Sequence, residues 1–419
     1  MQYILEAPTL LNTTVNLPAS KSVSNRALII HALAGGAEQL KNLSDCDDTD
    51  VIVQAMREMS YEINIKAAGT AMRFMTAYLA ATPGEHVLTG TERMKHRPIG
   101  ILVDALRRLG AQIDYVGEEG FPPLRIAGER LMGGTLEIAG NVSSQYISAL
   151  LMVAPVFQKG LELHLTGDVI SRPYIDLTLW MMREYGAQAD WTGNNTITVN
   201  PQPYRQRGYL IENDWSAASY WYEMLALLDQ PEAEVRLEGL MDGSKQGDSV
   251  VKYIFSLLGV KTTFASKEEG KPTSVTLRCS HHHVPRLDYD FVNSPDLAQT
   301  FVVCCALMDI PFHFTGLSTL KIKETDRIEA LKTEMRKLGY VIEARNDCEL
   351  LWNGERCETV AQPVIDTYED HRMALAFAPA AIKIPGLTIN HPEVVTKSYP
   401  AFWEHLREAQ FTIQENETR

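Results

Sequence analysis

The sequence predicts an α/β protein of two domains, each containing three copies of one repeating unit. Helical segments that end in Leu-Gly or a near equivalent recur through the 419 residues. A second, more apolar set of helical segments alternates with them, and short strand-like pieces lie between the two sets. The unit is therefore strand, buried helix, strand, surface helix and hairpin, six times over. A fixed repeat is a stronger sign of fold than any single motif.

The surface helices carry the apolar stripe of a helix that lies on a core. In the two clearest copies the apolar positions are Val251, Ile254, Phe255 and Leu258, and Ile328, Leu331, Met335 and Leu338. A glycine ends the helix and a short strand follows, as in Ala111–Tyr115 and Tyr340–Glu343. We expect these helices at Val51–Ser60, Ile99–Gly110, Ile175–Gly186, Val250–Gly259, Ile328–Gly339 and Tyr399–Gln410.

The buried helices begin with small or polar residues and then become strongly apolar. Ser294 followed by Pro295 matches an N-cap and a proline in the first turn, and Asp214 and Asp370 are good capping residues. Each start presents unpaired backbone N–H groups and a partial positive charge. The six starts are Ser22, Gly69, Ser143, Asp214, Asp296 and Asp370.

The ends of the chain indicate where the six units divide. The last unit stops after one strand, Phe411–Gln414, whereas the first nineteen residues offer two strand-like pieces, Gln2–Ala7 and Thr14–Leu17. The N-terminus is therefore expected to complete the final unit. This predicts one domain of residues 20–213 and another of residues 1–19 plus 214–419, with hinge crossings near Ala19 and Asn213.

Composition and charge argue against several classes of protein. A net charge of −14 disfavours nucleic acid or an anionic membrane surface as partner, because both need an extended basic face. The six cysteines form no Cys-x-x-Cys pair, and the N-terminus does not read as a signal peptide. The longest apolar run, Ile147–Phe157, falls short of the roughly 20 residues of a membrane span. We expect a cytoplasmic monomer that acts on small molecules, and we interpret His281–His283 as a solvated loop rather than a metal site.

The stretch Leu17–Arg26 predicts an anion-binding helix start. Lys21, Arg26 and three serine hydroxyls stand where a helix N-terminus already favours negative charge. Taken alone, the stretch fits a capped helix with surface charges equally well. Further cations and hydroxyls at or near expected helix starts are Arg93, Arg97, Lys323, Arg327, Arg372 and Lys397, and Ser143, Ser144 and Ser171. Because arginine and lysine bind phosphate and carboxylate, this set predicts one cleft that holds two anions.

Two carboxylates, Asp296 and Glu324, fall in the same neighbourhood. Such a pair can move protons in opposite directions, one as base and one as acid, with the cations holding the base ionised. For Asp296 a purely capping role is the alternative. The sequence has no Gly-x-x-x-x-Gly-Lys loop, no Gly-x-Gly-x-x-Gly after a strand and no metal-ligand spacing. The residues alone therefore predict a two-domain enzyme that closes on two small phosphorylated or carboxylated substrates.

Seven motifs together resemble the 5-enolpyruvylshikimate-3-phosphate synthases of the enolpyruvyl transferase superfamily. The resemblance spans nearly the whole chain and implies two domains of three βαβαββ units each, an inside-out α/β barrel. The motifs are Lys21-Ser-x-Ser-Asn-Arg26, Ala68-Gly-Thr-Ala-Met-Arg73, Arg93-Met-x-x-Arg-Pro-Ile-Gly100, Ser143-Ser-Gln145, Ser171-x-Pro-Tyr174, Lys323-Glu-Thr-Asp-Arg327 and Asp370-His-Arg-Met373.

The resemblance also implies a reaction. The enolpyruvyl group of phosphoenolpyruvate passes to the 5-hydroxyl of shikimate 3-phosphate and phosphate leaves, without a metal or organic cofactor. Asp296 takes the role of base for the hydroxyl and Glu324 or a lysine that of acid, so the catalytic candidates are Asp296, Glu324, Lys21 and Lys397. The implied contacts of shikimate 3-phosphate are Lys21, Ser22, Arg26, Ser143, Ser144, Gln145, Ser171, Asp296 and Lys323. Those of phosphoenolpyruvate are Lys21, Gly69, Arg97, Gln145, Arg327, His371, Arg372 and Lys397.

The sequence departs from the family pattern in its first repeat. That repeat is short, and Ala67 stands where the family usually has asparagine, so we expect weaker affinity for phosphoenolpyruvate. Two alternatives stay open. The sister transferase that acts on a UDP-amino sugar usually carries a reactive cysteine before its Arg-Pro, and Gly90–His96 contains none. A non-catalytic relative that only binds anions has the shortened repeat as its sole support.

Overall fold

The structure is a computed structural model and describes residues 1–36, 38–266, 268 and 270–416. The chain forms two compact units. One, here called the insert unit, is Ala19–Ile211; the other, the split unit, is Met1–Pro18 together with Glu212–Arg419. Each unit has its own hydrophobic core, and no core residue of one belongs to the other.

Helices lie throughout both units. The α-helices of the described residues are α1 (Lys21–Leu33), α2 (Asp47–Glu58), α3 (Gly69–Ala81), α4 (Glu92–Lys95), α5 (Gly100–Arg108), α6 (Ser144–Val153), α7 (Arg172–Glu184), α8 (Trp215–Leu228), α9 (Val251–Ser256), α10 (Ala298–Leu307), α11 (Arg327–Lys337), α12 (His371–Phe377) and α13 (Phe402–Glu408). Turns of 3₁₀-helix lie at Ala154–Val156, Gly247–Val250, Pro295–Leu297, Ser318–Ile322, Ala378–Ile382 and Pro392–Lys397.

The strands are short and mostly paired within small sheets. They are β1 (Gln2–Glu6), β2 (Asn12–Asn16), β3 (Leu40–Lys41), β4 (Glu62–Asn64), β5 (Gly84–Thr89), β6 (Gln112–Tyr115), β7 (Leu124–Gly128), β8 (Gly134–Ala139), β9 (Leu161–Thr166), β10 (Ala189–Trp191), β11 (Thr196–Val199), β12 (Tyr209–Leu210), β13 (Glu234–Met241), β14 (Leu258–Phe264), β15 (Pro272–His283), β16 (Leu287–Asp290), β17 (Phe312–Thr315), β18 (Glu343–Arg345), β19 (Glu349–Trp352), β20 (Val364–Ile365), β21 (Leu387–Asn390) and β22 (Thr412–Asn416).

One sheet topology is repeated. Among the described strands, five sheets have four strands each, in the orders β4-β5-β7-β6, β10-β11-β9-β8, β14-β15-β13-β2, β16-β17-β19-β18 and β20-β21-β1-β22. Each contains one parallel pair and two antiparallel pairs, as a strand–helix–strand crossover followed by a hairpin requires. The predicted repeat is confirmed. In the described part of the chain, the sixth sheet keeps only the parallel pair β3 and β12, which is the shortened first repeat.

The N-terminal strands belong to two different sheets of the split unit. Strand β1 pairs antiparallel with β21 and β22, so it completes the last repeat as expected. Strand β2 pairs parallel with β13 instead and therefore opens the fourth repeat. The prediction that the whole N-terminus completes the final unit was right for β1 and wrong for β2.

Buried and half-exposed helices alternate as the sequence predicts. Helices α3, α8, α10 and α12 are almost entirely buried, whereas α2, α5, α7 and α11 expose one face. The buried helices pack on one another, α3 on α6 in the insert unit and α10 on both α8 and α12 in the split unit. Among the described residues, no helix has both the length and the apolar character that a membrane crossing requires.

Four local predictions were wrong. The helix expected at Val250–Gly259 ends at Ser256, because Leu258 already belongs to β14 and β14 pairs along β15. The strand expected from Tyr340 begins only at Glu343, since Tyr340 makes no more than a single bridge to Arg356. His281–His283 end strand β15 and are not a loop, although all three are exposed.

The fourth concerns the start of the fifth buried helix. Ser294 makes no capping hydrogen bond, because its backbone, with ψ near 52°, is not in the extended conformation of an N-cap. A 3₁₀ turn at Pro295–Leu297 follows, and α10 begins at Ala298. Asp296 therefore lies within the 3₁₀ turn and is not the N-cap of α10.

Candidate active site

The predicted site residues that lie in one unit are called a half-site here. Arg327 is the centre of the half-site in the split unit. It is the first residue of α11, which Asp326 caps by accepting from the Glu329 N–H at 3.2 Å. Its guanidinium is 1% exposed and donates from Nε to Asp370 Oδ2 at 2.7 Å and from Nη2 to Asp370 Oδ1 at 3.1 Å. This fork is the geometry that arginine makes best with a carboxylate.

The same guanidinium joins the two carboxylates that the sequence singled out. Nη1 donates to Asp296 Oδ1 at 2.9 Å and Nη2 to Glu324 Oε2 at 2.9 Å. Burial lowers the pKa of Arg327, but Asp370, Glu324 and Asp296 outweigh it and raise that pKa above its ordinary value. Arg327 therefore stays charged and keeps Asp296 and Glu324 on either side of one cation.

Asp296 has two further cationic partners. Lys323 Nζ lies 3.4 Å from Oδ1, and Arg372 Nη2 donates to Oδ2 at 3.0 Å. Burial raises the pKa of Asp296, but Arg372, Lys323 and Arg327 outweigh it and hold that pKa well below its usual range. Asp296 is therefore ionised at neutral pH.

Glu324 bridges two cations. Its other oxygen, Oε1, lies 2.9 Å from Lys397 Nζ, and Lys397 is the last residue of the 3₁₀ turn Pro392–Lys397. Counted together, the half-site has the cations Lys323, Arg327, Arg372 and Lys397 against the carboxylates Asp296, Glu324 and Asp370. These three carboxylates balance all but one of the four positive charges.

Asp370 caps α12 as predicted and also sets the start of the next motif. Its Oδ1 accepts from the Arg372 N–H at 2.9 Å, and buried His371 lies with Nδ1 3.6 Å from the same oxygen. Arg372 Nη1 donates to Tyr220 Oη at 3.3 Å. Burial raises the pKa of Tyr220 to about 12, so the phenol stays protonated beside the guanidinium.

A fourth carboxylate, Asp248, lies near Arg372 and Asp296. It is buried in the 3₁₀ turn Gly247–Val250 and hydrogen-bonds to Ser216 Oγ. Burial raises its pKa to about 6, although the nearby Arg372 opposes the shift. At neutral pH Asp248 thus adds negative charge close to Arg372.

Lys21 and Arg26 lie on the first helix of the insert unit and are held differently from the cations above. Lys21, the first residue of α1, pairs with Asp48 Oδ2 at 3.2 Å. Arg26 donates from Nε to Thr178 Oγ1 at 2.7 Å and from Nη2 to Ser148 Oγ at 3.1 Å. It also donates to the Ser22 carbonyl at 2.9 Å. No carboxylate of the described residues lies beside Arg26, and burial lowers its pKa to about 10.

A second group in the insert unit surrounds the start of α3. Arg73 Nη1 donates to the Gly69 carbonyl at 3.0 Å, and the Arg97 guanidinium lies so close that a Cβ on Gly69 would sit 2.5 Å from Arg97 Nη1. Gln145 Nε2 donates to Thr70 Oγ1 at 3.1 Å and so joins the start of α6 to the start of α3. Among the described residues the Arg97 guanidinium has no hydrogen-bonded or ion-paired partner.

The predicted serines are at the ends of helices, as expected. Ser143 caps α6 by accepting from the Gln145 N–H at 3.3 Å, and Ser144 follows as its first residue. Ser171 precedes α7 with φ 52° and ψ 36°, a left-handed conformation that is uncommon for a residue with a side chain. Its hydroxyl does not cap α7. Backbone strain of this kind is often found where a ligand binds.

The predicted residues fall into two sets, one in each unit. Lys21, Ser22, Arg26, Gly69, Arg97, Ser143, Ser144, Gln145 and Ser171 lie in the insert unit, and Asp296, Lys323, Glu324, Arg327, His371, Arg372 and Lys397 in the split unit. Within the described residues, no group of three or more His, Cys, Asp or Glu is arranged to hold a metal ion.

Sequence reasoning missed several partners of these residues. They are Asp48, Thr70, Ser148, Thr178, Tyr220 and Asp248. Part of the signal was present: Ser148 stands four residues after Ser144, and Thr178 four after Tyr174, so each shares a helix face with a motif residue. No such spacing could have revealed Asp48 or Asp248, because Asp48 lies on α2 and Asp248 in the 3₁₀ turn Gly247–Val250, and neither element carries a motif residue.

The repeated α/β fold, with cations and hydroxyls near helix starts and two carboxylates on one guanidinium, agrees with the resemblance to the enolpyruvyl transferases. The model of the EPSP synthase (3-phosphoshikimate 1-carboxyvinyltransferase) family matches residues 5–65 and 59–406. The chain belongs to the EPSP synthase family and is a transferase enzyme of that family.

Individual relatives agree with the family assignment. A 3-phosphoshikimate 1-carboxyvinyltransferase of Bacteroides fragilis (strain YCH46) is 58% identical over 417 residues, covering 100% of both chains. One of Yersinia pseudotuberculosis serotype O:3 (strain YPIII) is 36% identical and covers 96% of both. The solved EPSP synthase of Acinetobacter baumannii is 20% identical, with a TM-score of 0.79 over 99% of this chain and 100% of that one, and so supports the fold. The expected family and fold are confirmed.

Proposed function

We propose that this chain transfers the enolpyruvyl group of phosphoenolpyruvate to the 5-hydroxyl of shikimate 3-phosphate and releases phosphate, in the shikimate pathway to aromatic amino acids. The observation that carries the proposal is Arg327, which holds Asp296 and Glu324 on one guanidinium beside three further cations. A transfer of this kind needs a base, an acid and charge stabilisation for two anionic substrates. This half-site provides all three.

The family resemblance divides the predicted residues between the two substrates. We assign shikimate 3-phosphate to Lys21, Ser22, Arg26, Ser143, Ser144, Gln145, Ser171, Asp296 and Lys323. We assign phosphoenolpyruvate to Lys21, Gly69, Arg97, Gln145, Arg327, His371, Arg372 and Lys397. In support, the Arg97 guanidinium has no hydrogen-bonded or ion-paired partner among the described residues, and the Ser171 hydroxyl does not cap α7. Arg26 is bonded to hydroxyls and carbonyls of its own unit, so its contribution is the weakest of the set.

Asp296 is the proposed base, and its surroundings explain how it becomes one. Three cations lower its pKa, and a carboxylate with a low pKa is a poor proton acceptor. Lys323, Arg327 and Arg372 are also assigned to the substrates. When two anions engage these cations, their effect on Asp296 is partly cancelled and its basicity rises. Binding of both substrates therefore prepares the base.

Glu324 and Lys397 form the proposed acid. Carbon protonation at the methylene of phosphoenolpyruvate requires a proton donor, and Lys397 Nζ lies 2.9 Å from Glu324 Oε1. A proton can pass along this short contact, so either member can deliver it. Lys21 is the proposed contact to both substrates, and with Arg327 and Arg372 it stabilises charge on the departing phosphate.

We also propose that residues 20–213 and residues 1–19 plus 214–419 are the two domains, with the hinge at Ala19 and Asn213. In support, the two chain crossings run side by side: the Asp214 N–H donates to the Pro18 carbonyl at 2.9 Å, and Asn213 Nδ2 lies 3.3 Å from Asn16 Oδ1. The proposed reaction requires both half-sites to act on the same pair of substrates. Closure of the domains is the step that would meet this requirement.

We propose a cytoplasmic monomer that uses small molecules and no nucleic acid or membrane. The six cysteines are all unpaired, which suits a reducing compartment, and the net charge is −14. The chemistry is group transfer with acid–base steps and needs no redox group or metal. Dialysis against EDTA is therefore expected to leave the rate unchanged, and a loss that Mg²⁺ or Zn²⁺ restores would contradict this.

One coupled assay tests the proposed function. Phosphate release is measured with phosphoenolpyruvate and either shikimate 3-phosphate or UDP-N-acetylglucosamine as acceptor. The expected result is phosphate release when shikimate 3-phosphate is the acceptor and no release when UDP-N-acetylglucosamine is the acceptor. Release only with the UDP-sugar would assign the chain to the sister reaction, and binding of both anions without release would identify a non-catalytic relative.

A further inference from the structure

One face of α11 contacts the chain segment 366–370 at both ends of the helix. Arg327 and Glu334 are seven residues, about two helical turns, apart and therefore share that face. Arg327 binds Asp370 through its fork. Glu334 Oε1 accepts from Tyr368 Oη at 2.6 Å, and Oε2 accepts from the Asp366 N–H at 3.1 Å. The helix thus fixes both ends of the segment.

The backbone of this segment is unusual. Tyr368 and Glu369 follow one another with φ of 53° and 55°, the left-handed region that residues with a Cβ seldom occupy. They lead directly into Asp370, the N-cap of α12. Residues in this region persist where their surroundings determine the conformation, and they concentrate at functional sites.

The partners of the segment are polar, and one of them, Glu334, is fully buried. Lys337 Nζ lies 2.7 Å from Glu334 Oε2 and 2.9 Å from Asp366 Oδ2. Asn390 Nδ2 donates to Asp366 Oδ1 at 3.0 Å, so strand β21 also holds the segment. Glu334 itself is 0% exposed. A buried carboxylate with this many partners is tied to one arrangement of the segment.

Asp370 transmits that arrangement to the half-site. Its two oxygens receive the Arg327 fork and the Arg372 N–H. A shift of Asp370 would therefore turn the Arg327 guanidinium and move the start of α12, which carries Arg372. Misplacement of a binding group by about 1 Å can reduce a rate by roughly 10²-fold.

We propose that Glu334 and Tyr368 are positioning residues for the reaction: their hydrogen bond holds segment 366–370 so that Asp370 orients Arg327 and Arg372 toward phosphoenolpyruvate. The inference rests on the proposed function, since that function assigns both arginines to this substrate. Neither Glu334 nor Tyr368 is assigned a contact with substrate. Their effect is specific, because shikimate 3-phosphate is held mainly by residues of the other unit.

Tyr368→Phe tests the proposal, because it removes one hydroxyl from a side chain that is 36% exposed and so leaves the core intact. We expect KM for phosphoenolpyruvate to rise about tenfold and KM for shikimate 3-phosphate to change less than twofold. The matched control is Tyr222→Phe, which loses a buried hydroxyl bonded to Thr262 Oγ1 at 2.8 Å in the same unit. The control should leave both KM values unchanged. An unchanged KM for phosphoenolpyruvate in Tyr368→Phe, or an equal rise of both constants, would overturn the proposal.

Hydrogen exchange gives a readout that does not depend on turnover. Amides of residues 366–373 should exchange faster in Tyr368→Phe than in the wild type, while those of α8 remain the same. Unchanged exchange in that segment would also overturn the proposal. If the wild type releases no phosphate, the proposed function fails by itself. Exchange, together with fluorescence titration of phosphoenolpyruvate into both variants, then still decides whether the hydrogen bond positions the arginines.

Discussion

Arg26 of the insert unit and Arg327 of the split unit are both buried within the first two turns of helices, yet their surroundings are opposite. Arg26 donates to hydroxyls and backbone carbonyls, and burial lowers its pKa to about 10. Arg327 donates to three carboxylates, and these raise its pKa although burial opposes them. The difference lies in the partners, because burial is nearly the same for both side chains.

The contrast extends to the two half-sites as wholes. In the split unit, Arg327, Arg372, Lys323 and Lys397 all contact carboxylates, so charge is balanced before any substrate arrives. In the insert unit, Arg97 has no such partner among the described residues. The split unit is therefore suited to proton transfer between ionised groups, and the insert unit to binding an anion that neutralises its cations.

The largest expected effect is loss of the proposed base, Asp296. Asp296→Asn should reduce turnover by roughly 10³-fold, within the usual range for a general base, because the amide cannot take the hydroxyl proton. Phosphate release measures the rate, and circular dichroism checks that the variant folds. Asp288→Asn, an exposed carboxylate paired with Arg286 in the same unit, is the control and should keep its activity. Full activity of Asp296→Asn would remove Asp296 as base.

The next prediction compares how much an arginine of each half-site contributes to the free energy of unfolding. Arg327→Gln should lower the free energy of unfolding by about 3 kcal/mol, because Asp370, which is 0% exposed, loses its charged partner. Arg97→Gln should change that free energy by no more than about 0.5 kcal/mol, since it breaks no ion pair. Urea unfolding followed by fluorescence compares the two variants. Equal losses would mean that the two half-sites do not differ in charge balance.

The repeat and the helix starts were predictable because they depend on local pattern. Apolar spacing reports which face of a helix is buried, and polar residues before an apolar run report where it begins. These signals placed Lys21, Ser144 and Arg327 as the first residues of their helices. Local pattern says nothing about partners far apart in sequence, so Asp370 was recognised as a cap but not as the carboxylate that binds Arg327, 43 residues away.

The errors have the same origin. Leu258 fits the helical stripe that begins at Val251, yet pairing of β14 with β15 determines its conformation. Ser294-Pro295 fits a helix start, but the turn that places Asp296 among three cations is a 3₁₀ turn. In both cases tertiary contacts outweigh local preference. Roles assigned to single residues from the family resemblance remain predictions.

A smaller effect is expected for Lys21, whose charge Asp48 already balances in part. Lys21→Ala should reduce kcat/KM for phosphoenolpyruvate about a hundredfold, the equivalent of one hydrogen bond to a charged group. Its thermal midpoint should fall less than that of Arg327→Gln, because the pair with Asp48 is 3.2 Å long and Lys21 is 15% exposed, against 1% for Arg327. Lys95→Ala, which removes an exposed pair with Glu92 in the same unit, is the matched control. A fall in stability with normal kinetics would assign Lys21 to folding instead.

The smallest effect should come from Gly69→Ala. The new Cβ would lie 2.5 Å from Arg97 Nη1 and 3.0 Å from Arg73 Nη1, so the flexible Arg97 side chain must move while the helix stays in place. Alanine is the better helix former by about 1 kcal/mol, and stability should therefore not fall. We expect KM for phosphoenolpyruvate to rise about tenfold with KM for shikimate 3-phosphate unchanged.

The cause of the Gly69→Ala effect can be isolated with a double mutant. If the methyl group acts by displacing Arg97, then Gly69→Ala should add little to the loss already present in Arg97→Gln, because the displaced group is absent. Independent, additive losses would show that Gly69 matters through its own backbone contacts with substrate. Arg97 would then still contribute to anion binding, because Arg97→Gln has a loss of its own, and Gly69 would contribute separately from it.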